Sequence, residues 1–244
     1  MNRLSAQLQH PCRVVSDLHL FTRRSDADEY LGHIQLAVRN SRTFVLAGDI
    51  FDFRWSRFPS AEATAEEARR WLEALIKAGP ETQFHYVLGN HDHAPALIEQ
   101  LESLAAAEPR FRWHPYQVRI GNAVFLHGDA SNPRMNQERL EAYRLGFAKE
   151  RPASAMAHRM YRVAMAMRLH VVGARLVFKE RFVVRRLTAH LRRLGPEWSN
   201  GVRNVYFGHT HLALSGVEHD GRRFHNCGSP MRGLSFQILE ADLT

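Results

Sequence analysis

Five short apolar, β-prone runs in this chain each end in a cluster of Asp, His or Asn. Arg13-Val14-Val15-Ser16 leads into Asp17-Leu18-His19, Thr43-Phe44-Val45-Leu46-Ala47 into Gly48-Asp49-Ile50-Phe51-Asp52, and His85-Tyr86-Val87-Leu88 into Gly89-Asn90-His91-Asp92. Ala123-Val124-Phe125-Leu126 leads into His127-Gly128-Asp129, and Val205-Tyr206-Phe207 into Gly208-His209-Thr210-His211. Asp17 and His19 are two residues apart, so an extended chain turns both to one side, and His209 and His211 repeat that spacing. Asp49 offers a carboxylate able to bridge two cations, Asn90 a neutral carbonyl oxygen and His127 another imidazole. Seven ligands make two metal sites when one is shared. Imidazole and oxygen donors without thiolate suit Mn, Fe, Zn or Mg rather than a thiophilic ion. Two such ions ~3.5–4 Å apart can generate a hydroxide and clamp the oxygens of a phosphoryl displacement. Hydrolysis of a phosphate ester or anhydride is the chemistry this set suits.

The elements that must position these groups follow from the intervening pattern. Helical periodicity covers Asp26 to Asn40, Ser60 to Ala78 and Ala94 to Ala106, so strand, ligand cluster and helix repeat as a unit. Such alternation predicts a largely parallel sheet covered by helices, with ligands at the carboxyl ends of its strands. In the second half, Pro115 to Ile120 and Ala123 to His127 flank the turn pair Gly121-Asn122. Leu212 to Glu218 and Arg222 to Asn226 flank Asp220-Gly221. A last strand is expected over Gly233 to Leu239. This half reads as a hairpin-rich sheet that could stack on the first.

At 244 residues the chain is long enough for one well-buried α/β domain, and we expect 1–244 to form a single unit. No apolar run approaches the ~18 residues of a membrane span. The first ten residues lack the apolar centre of a secretory signal, so the expected location is cytoplasmic. Cys12 and Cys227 are too few for a disulfide framework, and both are expected to be reduced and packed. The net charge of +8 is localised. Residues 130–195 hold 15 Lys or Arg against 4 Asp or Glu, whereas the rest holds 18 against 21. That segment carries little strand signal. Gln137 to Phe147, Ser154 to His170 and Ala174 to Leu194 read as helices, and five of the seven Met residues fall there. Because ligand clusters flank it, it reads as a basic helical insertion.

Taken in order, Asp-x-His, Gly-Asp-x-x-Asp, Gly-Asn-His-Asp, His-Gly-Asp and Gly-His-x-His resemble the calcineurin-like metallophosphoesterase superfamily over residues 13 to 211. Asn226-Cys227-Gly228-Ser229 is similar to the strand that commonly closes that fold. The resemblance implies a four-layer α/β architecture of two stacked mixed β-sheets flanked by helices. It implies one metal site of Asp17, His19, Asp49 and His211 and a second of Asp49, Asn90, His127 and His209, bridged by Asp49. His91 would contact the phosphate and protonate the leaving oxygen, with Asp92 orienting its ring. Asp52 and Asp129 would accept hydrogen bonds from ligands or backbone. Two divalent ions are implied, manganese being the expected one and iron, zinc or magnesium the alternatives.

Within that superfamily, the basic insertion between the His127 and His209 clusters resembles the lid of the UDP-2,3-diacylglucosamine pyrophosphatases of lipid A synthesis. So do the strings Ser16-Asp17-Leu18-His19-Leu20 and Gly48-Asp49-Ile50-Phe51-Asp52-Phe53. Such a substrate, a lipid-linked nucleotide, needs cations for its phosphates and an apolar trough for its chains. Arg159, Arg162 and Arg168, interleaved with Met156, Met160, Val163 and Met167, are candidate substrate-binding residues. A basic amphipathic helix can also rest on the inner face of a membrane. One departure stands out: many such pyrophosphatases have Arg where this chain has His91, as general phosphoesterases do. A phosphodiesterase or phosphatase acting on nucleotides, nucleic acid or phosphoprotein is the alternative. Ordinary packing is the competing account of the Met and Leu stripe. A non-catalytic scaffold would be expected to lose ligands, whereas all seven positions and His91 are filled.

Overall fold

The strands with the strongest β-prone runs are buried on both sides, as expected of central parallel strands. In a computed structural model that describes residues 11–149, 153, 156–157, 159–160 and 178–244, they form two five-stranded sheets. The first contains β1 (Cys12–Val15), β2 (Thr43–Ala47), β3 (Gln83–Val87) and β4 (Phe111–His114), all parallel. Between them run α1 (Leu31–Arg39), α2 (Ala61–Ala78) and α3 (Pro95–Ala107), within a residue or two of the sequence expectation apart from a 3-10 turn at Ala27–Tyr30. The Ser60 side chain caps α2 by accepting from Ala63 N at 3.1 Å, and Pro95 opens α3 where no N–H is needed.

The second sheet contains β5 (Gln117–Ile120), β6 (Ala123–Leu126), β7 (Asn204–Phe207), β8 (Leu214–His219) and β9 (Arg222–Asn226), in the order β5-β6-β7-β9-β8. Both expected hairpins are present, and Asp220 and Gly221 take the positive φ values of 54° and 70° that a tight hairpin turn requires. The sheet's centre, however, is parallel: β6 pairs with β7, and β7 with β9. That centre puts the ends of β6 and β7 on the same side of the molecule.

Alternation along the strands sorts three cores. Val14, Val45 and Val87 face Val118, Phe125 and Tyr206 between the sheets. Phe44, Leu46, Phe84 and Tyr86 face the helices α1 to α3. On the far side, Val124, Val205, Phe207 and Phe224 are covered by Leu140 of α4 (Gln137–Ala148) and by Val183, Val184, Leu187 and Leu191 of α5 (Glu180–Leu194). The result is helix, sheet, sheet, helix, the four-layer α/β arrangement expected.

Two expectations change. The last strand, β10 (Leu239–Ala241), starts where Gly233 to Leu239 was expected to end, and it pairs antiparallel with β1 at the edge of the first sheet. Residues 233–238 turn first, with Gly233 at φ 85° and Phe236 packed against the apolar cores, so regular pairing begins only beyond them. The second change concerns the basic segment. Its α5 is the fourth layer of the core, with an apolar stripe against the sheet and Arg181, Arg185, Arg192 and Arg193 in solvent. The helix expected over Ser154 to His170 falls largely outside the described residues.

Leu187 is fully buried in this layer. Leu187→Ala should cost about 2–5 kcal/mol, visible as a lowered midpoint in thermal or denaturant unfolding. Arg185→Ala, on the exposed face of the same helix, should stay within about 0.5 kcal/mol of the parent.

Candidate metal centre

The five ligand loops meet where the carboxyl ends of β1, β2, β3, β6 and β7 abut. Asp17, His19, Asp49, His209 and His211 all have positive φ, between 45° and 66°. A non-glycine residue held there costs on the order of 1–3 kcal/mol, so its surroundings must over-determine it. The loops are stitched accordingly. Asp17 N donates to Gly48 O at 3.0 Å, His19 N to Asp49 O at 3.0 Å, and Gly208 N to His127 O at 2.7 Å. Ser229 Oγ donates to Asp17 O at 2.8 Å, and Asn226 Nδ2 to Gly208 O at 2.8 Å. Two glycines permit the close approach. A Cβ at Gly89 would overlap Asp49 Oδ1, and one at Gly208 would overlap Asp17 Oδ2.

Donor atoms of Asp17, His19, Asp49 and His211 all lie within 4.8 Å of one another. His19 Nε2 is 3.1 Å from His211 Nε2, which is 3.4 Å from Asp17 Oδ1. A second set adjoins it: Asn90 Oδ1 lies 3.1 Å from both His127 Nε2 and His209 Nδ1. Asp49 Oδ2 stands in both sets, 3.9 Å from His19 Nε2 and 3.3 Å from His127 Nε2. The other oxygen, Oδ1, accepts from His91 N at 2.8 Å. The structure thus brings together all seven sequence-predicted ligands, with Asp49 between the two sets.

Their electrostatics fit divalent cations. Burial, reinforced by the Asp49 carboxylate, raises the Asp17 pKa to about 7, so this carboxylate is short of positive charge. Burial pushes His19 and His209 down to about 4 and His211 well below its ordinary value, leaving neutral imidazoles with lone pairs to give. Burial also opposes charge on His127, but Asp49 overcomes it and raises that ring to about 10; a cation would replace the proton the pair shares.

The outer ring nitrogens select which atoms face inward. His19 Nδ1 lies 3.3 Å from Asp52 Oδ2, His209 Nε2 3.0 Å from Asn132 Oδ1, and His127 Nδ1 3.4 Å from Ala47 O. Asn132 was not singled out in the sequence, because an Asn beyond the His-Gly-Asp string has no pattern of its own. Arg24, which pairs with Asp52, was missed for the same reason.

His91 corrects one assignment. Its Nδ1 faces Asp52 Oδ2 at 3.5 Å, so Asp52 rather than Asp92 orients the ring. Asp92 instead accepts from the backbone of Phe51 at 3.2 Å and Gly89 at 3.1 Å, bracing the loops that carry Asp49 and Asn90. Burial lowers the His91 pKa, but Asp52 and Asp49 outweigh it and leave the ring above its ordinary value. Side-chain exposure of 17% at His91 and 23% at His211, against 0% at His19, marks the side from which a substrate reaches the donors. Phe147 of α4 packs edge-on against His91, and Phe178 against His209.

Asp129 corrects another. Its carboxylate takes two hydrogen bonds from the buried Arg144, at 2.7 and 2.8 Å, and so fastens α4 rather than serving a ligand. Burial raises its pKa, yet Arg144 holds the carboxyl well below the usual carboxylate range. Of the arginines expected to bind substrate, Arg159 is exposed, while Arg162 and Arg168 lie outside the described residues. A cavity of about 340 Å³ opens beside His211, lined by Phe178, Val183, Phe207, Leu214 and Leu234 among others.

The family model for calcineurin-like phosphoesterases matches residues 11–213. No curated protein matches the chain. Among solved structures it is similar to a dimetal phosphatase from Danio rerio, at 14% identity and a TM-score of 0.47, covering 91% of this chain and 88% of that one.

Asn132→Ala should weaken binding at the His209 set by about 10–100-fold while leaving the His211 set unchanged. Calorimetric metal titration would show one of two binding steps shifted.

Proposed function

The chain belongs to the calcineurin-like phosphoesterase family, and we propose that it cleaves the pyrophosphate bond of a lipid-linked nucleotide of the UDP-2,3-diacylglucosamine type, releasing UMP. As a member of that family it is a metal-dependent phosphohydrolase that uses two divalent ions. The observation that carries the reading is the pair of donor sets sharing Asp49 Oδ2, with His91 at their open side.

In this reading Asp17, His19, Asp49 and His211 hold one ion, and Asp49, Asn90, His127 and His209 the other. Bound divalent cations supply Lewis acidity toward the phosphoryl oxygens and a nucleophile at neutral pH. Imidazole and oxygen donors suit manganese, and both cysteines are buried free thiols. His91 lies where it can hold a phosphoryl oxygen and give the leaving oxygen its proton. Asp52 keeps that ring turned toward the opening, and the Asp52 and Asp49 carboxylates favour its protonated, proton-donating form.

Support for the substrate comes from the surroundings. The cavity beside His211 sets an apolar wall of Phe178, Leu212, Leu214 and Leu234 among the polar groups of Glu180, Thr210 and Ser235, and that wall suits an acyl or similar group. The basic excess of residues 130–195 suits a diphosphate, and Met156 and Met160, exposed next to Arg159, suit peripheral contact with an anionic membrane. Among the described residues no helix is long and apolar enough to cross a membrane. His91 favours the second reading, a general phosphodiesterase or phosphatase, because His is the usual acid for an ester leaving group.

The deciding experiment incubates the protein with Mn and UDP-2,3-diacylglucosamine in detergent and measures UMP. Release that vanishes in Asp49→Ala supports the pyrophosphatase; hydrolysis of simple phosphodiesters without UMP release supports the second reading. Asp49→Ala should also lose metal at both sites by elemental analysis. His91→Ala should retain both ions and turn over about 10²–10⁴-fold more slowly. Unchanged turnover would remove His91 from the mechanism.

A further inference from the structure

We infer that Arg24 is a positioning residue for this reaction: it holds the one carboxylate oxygen, Asp52 Oδ2, that orients both the leaving-group imidazole of His91 and the inward-facing imidazole of His19. The inference rests on the phosphohydrolase reading above and extends it to a residue outside the ligand strings.

Asp52 is fully buried, and its two oxygens have separate duties. Oδ1 accepts from Trp55 N at 3.0 Å, which fixes the carboxylate to its own loop. Oδ2 receives the Arg24 guanidinium and faces His19 Nδ1 at 3.3 Å and His91 Nδ1 at 3.5 Å. The two imidazole rings pack edge to face with centroids 5.0 Å apart, so a rotation of the carboxylate would release both. A buried carboxylate is costly unless a cation and hydrogen bonds compensate it. Arg24, whose side chain is 10% exposed, supplies a charge that does not come and go near neutral pH.

The backbone around Arg24 is built to deliver it there. Thr22 Oγ1 donates to His19 O at 3.0 Å, and Ser25 Oγ donates to Leu18 O, folding the chain back over the Asp17-Leu18-His19 turn. Arg57 N donates to Phe21 O at 2.9 Å, and Thr22 bridges to Ser56, tying the loop to the segment that follows Asp52. Arg24 Nη2 ends 3.1 Å from His19 Nδ1. With His19 Nε2 turned to Asp49 and His211, the Nδ1 proton is left for Asp52, and the guanidinium settles on the same oxygen. Loss of Arg24 would leave Oδ2 without that charge, free to turn, and the two rings without a common acceptor.

The test compares Arg24→Ala with the parent on aryl phosphate diesters graded from 4-nitrophenyl to unsubstituted phenyl, with Mn. A residue acting through the proton donor is needed most where the leaving group is poorest. Turnover on the phenyl ester should fall about 10–100-fold and on the 4-nitrophenyl ester less than about threefold, with KM nearly unchanged. Equal losses across the series would overturn the proposal, as would a loss confined to KM, which would mean direct substrate contact. A second readout needs no activity: in protein labelled with ¹⁵N-histidine, the Nδ1–H protons of His19 and His91 should be exchange-protected in the parent and lose that protection in Arg24→Ala. Unaltered protection would also overturn it. Should the alanine variant fail to fold, Arg24→Gln keeps much of the length and a hydrogen-bond donor but not the charge and should show the same steepened dependence on leaving group; a glutamine variant with the parent's dependence counts against the proposal. Parent protein inactive on every ester would overturn the hydrolase reading, and the exchange measurement would still decide on Arg24.

Discussion

A single carboxylate oxygen sets the tolerances of this molecule. Asp49 Oδ2 must reach imidazoles from both sheets, His19 from the first and His127 from the second. The sheets must therefore stack with the carboxyl ends of β1, β2 and β3 against those of β6 and β7, in register to within a side chain's length. The small residues of the inter-sheet core, such as Val14, Val45, Ala47 and Ala123, let the two layers approach that closely. The parallel centre of the second sheet follows from the same need, since antiparallel neighbours would send His127 and His209 to opposite edges.

The same point concentrates cost. Buried carboxylates and imidazoles crowd together on backbone that departs from comfortable conformations, and hydrogen bonds from neighbouring loops hold Asp17, His19, Asp49 and His209 there. Natural sequences concentrate such conflict where function requires it and keep the rest locally consistent. Here the helices capped by Ser60 and opened by Pro95, and the turn at Asp220-Gly221, follow ordinary local rules. The strained segment is almost confined to the ligand loops.

That division explains what could be read in advance. Strand ends rich in Asp, His and Asn are visible one segment at a time, and the family resemblance carried by their order implied how the seven donors group. Helix α2 was legible from Ser60 and its apolar spacing. Relations between distant segments were not: Asp52 turns to His91 across 39 positions, while Asp92, adjacent to His91 in sequence, turns to backbone instead. Nor does a pattern distinguish an amphipathic helix that covers a substrate from one that covers a sheet. For α5 the sheet is the answer, because Val183, Leu187 and Leu191 point into its core. The buried Arg144 was similarly concealed among residues whose charge suggested solvent or ligand.

The order in which the donors occur along the chain bears on synthesis. Strands β1 to β4, together with α1 to α3, lie within residues 12–114 and can assemble while translation continues, since domains form from the N-terminal side as the chain emerges. Yet one donor set waits for His211 and the other for His127 and His209, and β10 reaches β1 only when residue 239 has left the ribosome. A nascent chain thus offers three strand ends bearing carboxylates and no complete coordination set until most of the second sheet exists. Cation capture becomes a checkpoint on completed folding, and the ions' binding energy falls on the finished sandwich rather than on its half-made precursor.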